Sequence, residues 1–145
     1  MWAGMLAHNN LCGVGREQDW ASHDIEHELS AQYDVAHGAG LAVIVPAWMK
    51  YVYRHDIARF AQLAVRVFGV NMDFQNQERT ALEGVARLQG FWRSLGLPAN
   101  LRELGARAED IPMMARRVNF KGREKIGGFV PLAVEDIEKI YQLAW

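Results

Sequence analysis

The sequence predicts an all-α protein, a bundle of about six to eight helices, because apolar residues recur at three- and four-residue spacing through most of the chain. No segment sustains the alternation of a strand; the nearest to one, "GGFVPLAV" from Gly127 to Val134, is weakened by Pro131. Half of the 145 residues are apolar, enough to bury a core without staples. The length is that of one domain, residues 1–145.

Taken in order, the first helix is expected from Trp2 to Leu11. It opens with Trp2, Met5 and Leu6 already in phase and without a capping residue, as though an upstream element had been removed. Asp19 to Gln32 and His37 to Tyr53 follow as helices. The second is too short to span a bilayer and carries Pro46 and Lys50, so it reads as a buried core helix. In "DIARFAQLAVRVFG", Asp56 caps, Gly69 stops, and Ile57, Phe60, Ala61, Ala64, Val67 and Phe68 form the stripe. A helix from Asn76 to Leu95 places Leu82, Val85, Leu88, Trp92 and Leu95 on one face before "GLP". Asp110 to Val118 is a short helix, "NFKGREKIGG" a linker-like stretch, and Val134 to Ala144 a final helix turning Ile137, Ile140 and Tyr141 inward.

Sixteen basic against seventeen acidic residues, with no Lys/Arg run, argue against a nucleic-acid partner. The start lacks the basic flank and long apolar centre of a secretory signal, and one cysteine fits a reducing compartment, so a cytoplasmic protein is expected. Cys12 itself reads as a small buried apolar residue. "GVG" at 13–15 and "GAG" at 38–40 lack a dinucleotide fingerprint and read as turns or helix-packing sites. Trp48, Tyr51 and Tyr53 read as core, and neither His8 nor His55 is given a functional role.

"SHDIEHELSAQYDVAHG" holds three of the five histidines. His23 and His27 lie one helical turn apart on one face, where two imidazoles can share a metal, and His37 follows closely enough to converge on them. Asp24, Glu26 and Glu28 are candidates to accept a ligating imidazole's second N–H. The pattern differs from the HExxH peptidase motif, since Asp24 stands where that motif has glutamate. A self-contained metallohydrolase using all three histidines and a non-catalytic helical interaction module remain open, as does a bland role for histidines on an amphipathic helix.

"DWASHDIEHELSAQYDVAHGAGLAVIVPAWMKYV", Asp19 to Val52, closely resembles the metal-binding region of the iron-containing alcohol dehydrogenases, especially their butanol dehydrogenase branch. "GFWRSLGLPANL" and "EDIEKIYQLAW" extend the resemblance over essentially the whole chain; Ala133 departs from it where a capping Thr or Ser is common. The resemblance implies the C-terminal all-helical domain of a dehydroquinate synthase-like fold. It implies His23 and His37 as ligands of a divalent metal, Fe2+ or Zn2+, and His27 as a catalytic residue handling the proton. It further implies two more ligands from upstream sequence and NAD(H) or NADP(H) held by a nucleotide-binding half absent here. The reaction implied is the interconversion of primary alcohols and aldehydes, by a homo-oligomer such as a dimer. A chain of this half alone is expected to be inactive, to bind metal weakly and to expose an apolar face that favours self-association.

Overall fold

The computed structural model of the protein describes residues 1–120 and 122–145; Lys121, within the linker-like stretch, lies outside them. Among the described residues there are seven α-helices: α1 (Trp2–His8), α2 (Ala21–Tyr33), α3 (His37–Val52), α4 (Ile57–Phe68), α5 (Gln77–Ser94), α6 (Ile111–Arg117) and α7 (Val134–Leu143). The all-α bundle expected from the periodicity is therefore what forms. In place of a strand at Gly127 to Val134 there is one antiparallel bridge, Ile126 to Leu132. Pro131 cannot donate to a ladder, and pairing extends no further.

The helix ends follow local chemistry. The Asp56 carboxylate accepts from the Arg59 N–H at 3.0 Å, and Gly69 closes α4 in the left-handed region at φ +62°. The Asn76 side chain accepts from Arg79 N–H to open α5. At α7 Ala133 offers no side-chain cap, and Asp136 supplies only the reciprocal half of a capping box, accepting the Ala133 N–H at 2.9 Å and the Tyr51 hydroxyl at 2.6 Å.

One core cluster draws on every helix except α1. Tyr141 is fully buried, and its hydroxyl donates to the Ile25 carbonyl at 2.6 Å, pinning α7 to α2. Ile137, Ile140 and Tyr141 all face inward as the sequence indicates, and Tyr53 is buried as well.

Two stripes differ from expectation. Val67 and Leu95 are each 63% exposed, and Leu82 also reaches solvent. The buried face of α5 is Thr80, Ala81, Gly84 and Val85, of which Val85 alone belongs to the expected stripe. A Cβ built on Gly84 would lie 2.5 Å from the Ala64 Cβ, so α4 and α5 touch through their small residues. Close backbone approach, not side-chain size, selected that face. Cys12 is exposed, contrary to its reading as a buried residue, because it sits in turns after α1, a helix with no buried residues. No helix among the described residues is long and apolar enough to cross a membrane.

Candidate metal centre

Three elements bring the histidines together. Asp19 fixes the start of α2: its carboxylate accepts from the Ala21 N–H at 2.8 Å and reaches across to the N–H groups of Gly128 and Phe129 at 3.0 and 2.8 Å. Ala21, Ile25 and Leu29 then bury one face of α2, which by helical spacing turns His23 and His27 to the other. Asp34, in the left-handed region at φ +51°, reverses the chain after α2, so that α3 begins with His37 beside that second face.

The three rings meet: His37 stands with its centroid 5.4 Å from His23 and 5.3 Å from His27. His37 and His27 are exposed, and His23 is half-buried against Trp20, whose ring lies edge-on at 5.0 Å. Below them is Glu26, with no exposed surface. One carboxylate oxygen accepts from His37 Nδ1; the other accepts from the Ser30 hydroxyl at 2.5 Å. That arrangement makes Nδ1 the nitrogen engaged by Glu26 and leaves Nε2 as the nitrogen that the carboxylate does not engage.

His23 Nδ1 is buried and has no hydrogen-bond partner among the described residues. Burial lowers the His23 pKa, and the neighbouring His37 and His27 lower it further, so the neutral imidazole that can bind a cation is favoured. A buried, unpaired imidazole nitrogen is costly unless some group completes it, and a cation would do so.

Donor atoms of Glu26, His27 and His37 lie within 4.8 Å of one another, a grouping that leaves out His23. Glu26, however, is enclosed and already engaged through both oxygens, so as a ligand it would compete with one of those bonds. Asp24 and Glu28 are not part of that group. His8 lies in the exposed α1, and His55 packs edge-on against Phe129 at 4.9 Å. Phe129 and His55 help line a cleft of about 870 Å³ at the far end of α3 that includes none of the three clustered histidines. Two contributors escaped the sequence reading. Ser30 carries no motif, and Gly40 lies in a "GAG" that reads as a turn or helix-packing site, although a Cβ there would overlap Glu26 Oε1.

The sequence pattern of the Fe-containing alcohol dehydrogenase family, C-terminal part, matches residues 1–145. The chain is similar to NADH-dependent butanol dehydrogenase A of Clostridium acetobutylicum, 35% identical over all of this chain and 37% of that protein. It is similar also to a probable NADH-dependent butanol dehydrogenase of Bacillus subtilis, 39% identical over 97% of this chain and 36% of that protein. Among solved structures, an NADH-dependent butanol dehydrogenase A of Thermotoga maritima superposes with a TM-score of 0.90 at 38% identity, over 99% of this chain and 37% of that one. The chain thus spans little more than a third of the length of these relatives. With a match that runs from the first residue to the last and takes in the histidine cluster, the chain belongs to the iron-containing alcohol dehydrogenase family.

Proposed function

We propose that this chain is the metal-binding part of an NAD(P)-dependent alcohol dehydrogenase acting on primary alcohols and aldehydes, with His23 and His37 as metal ligands and His27 as the catalytic residue. The observation that carries the reading is the convergence of His23 and His37, one with a buried unpaired nitrogen and the other with its Nδ1 already committed to Glu26. The relatives' names supply the reaction: NADH-dependent butanol dehydrogenase for two of them, and NADPH-dependent aldehyde reductase for a third, from Escherichia coli, 29% identical. A divalent cation held there supplies Lewis acidity toward an alcohol or carbonyl oxygen. Fe2+ and Zn2+ both suit imidazole donors.

The chain's own residues do the rest. His37 offers Nε2 in a fixed orientation, and His23 offers a neutral ring. His27, exposed beside His37, would pass a proton between the substrate hydroxyl and water. Exclusion of water, which the chemistry favours, is not provided by this chain on the His27 and His37 side. It falls to a nucleotide-binding part or a second subunit, in a protein whose homo-oligomeric state and cytoplasmic location are part of the same proposal.

Equilibrium dialysis against Zn2+ tests the assignment. The 145-residue polypeptide should bind the ion weakly, His23→Ala and His37→Ala should each abolish binding, and His27→Ala should leave it intact. Loss with His27→Ala would favour the metallohydrolase ligand set, while indifference to all three substitutions would favour an interaction module. Alcohol-dependent reduction of NAD(P) by this polypeptide alone would overturn the expectation that it needs further ligands and a nucleotide site.

A further inference from the structure

Glu26 is a buried carboxylate without a Lys or Arg partner among the described ion pairs; its only titratable contact there is His37. Burying a carboxylate is expensive unless its oxygens are satisfied, and the surroundings are cut to satisfy them. Ser30, one turn on, closes one oxygen. Gly40, one turn into α3 from His37, leaves the room that oxygen occupies, since any Cβ there would overlap it. The same turn of α3 thus presents His37 and gives way to the group that orients it.

Resting on the assignment of His37 as a ligand, we propose that Glu26 is a positioning residue, and that Ser30 and Gly40 complete a clamp holding His37 in the Nδ1–H tautomer with Nε2 facing the cation site. Metal affinity then depends on two residues, Ser30 and Gly40, that touch no metal. The clamp also removes Glu26 from the ligand set. An orienting acceptor of this kind is worth about 10- to 100-fold in affinity.

The test combines a metal-free and a metal-bound readout on the chain. In the metal-free protein with ¹⁵N-labelled histidine, long-range ¹H–¹⁵N spectra should show His37 protonated at Nδ1. Glu26→Ala should convert it to a mixture, and Glu26→Gln, whose amide oxygen still accepts, should preserve it. Zn2+ affinity should fall about 10- to 100-fold in Glu26→Ala and Gly40→Ala, and by much less in Glu26→Gln. Ser30→Ala, which removes only a hydroxyl, serves as a second probe if Gly40→Ala fails to fold, and should weaken Zn2+ binding in the same direction. A His37 proton on Nε2, or a tautomer indifferent to Glu26→Ala, overturns the proposal. Equal losses in Glu26→Gln and Glu26→Ala overturn it too, because they would make Glu26 a ligand. The assignment beneath it fails separately, if His37→Ala leaves Zn2+ binding unchanged.

Discussion

Along α2, residues at helical spacing build two unlike strips. Ala21, Ile25 and Leu29 have 1%, 0% and 0% of their surface exposed, while His27 on the other side stands in solvent beside His37. The first strip is apolar and locked from below by the Tyr141 hydroxyl on the Ile25 carbonyl. The second is polar and leaves a buried imidazole nitrogen unsatisfied. Stability is concentrated on the strip that does no chemistry, which lets the other carry an unfavourable cluster of three imidazoles.

The sharpest way to break that contrast is to cut into the buried strip. Leu29→Ala should lower the unfolding free energy by about 2–5 kcal/mol, read by denaturant titration. His23→Ala, on the facing strip, should lower it by less than about 1 kcal/mol, because it deletes an unpaired buried nitrogen along with a half-buried ring, while abolishing Zn2+ binding. A comparable loss from both would show that the histidine face also holds the fold.

Next in size is the contact between α4 and α5. Gly84→Ala gains about 1 kcal/mol of helix propensity, but its Cβ meets the Ala64 Cβ and Cα at 2.5 and 2.9 Å. Overpacking of about 1–3 kcal/mol should outweigh the gain, giving a lower melting temperature with the Zn2+ affinity unchanged. Tyr141→Phe keeps the ring and deletes one buried hydrogen bond, so a loss of about 1 kcal/mol is expected in the same titration.

The smallest effect is the acid limb. At the C-terminal end of α2 the Tyr33 hydroxyl donates to Asp110 at 2.5 Å, and Arg107 donates to the same oxygen at 2.9 and 3.0 Å. The Tyr33 bond, then Arg107, hold the Asp110 pKa below its ordinary 3.8. A depressed carboxylate contributes stability above its ordinary pKa and loses it as pH falls through the depressed one. Unfolding measured from pH 5 downward should therefore steepen, and Asp110→Asn should flatten that limb. An unchanged slope would mean that this end of α2 is held by packing alone.

The sequence by itself determined the helices and much of the cluster. Asp56, Asn76 and Gly69 mark ends through bonds to residues close in the chain, and the four-residue step from His23 to His27 sets both on one face wherever the helix is placed. The stripe Ile137, Ile140, Tyr141 was equally plain. Only the tertiary structure decided that α5 buries Ala81 and Gly84 while Leu82 and Leu95 reach solvent, that Cys12 is exposed, and that Glu26, among three acidic candidates, is the one beneath His37. The reason is range: periodicity and caps record hydrogen bonds spanning about four residues, whereas the choice between two apolar faces, or among neighbouring carboxylates, belongs to the surface that arrives from elsewhere in the chain. Here that surface is the first turn of α3, where the missing side chain of Gly40 lets it close over Glu26.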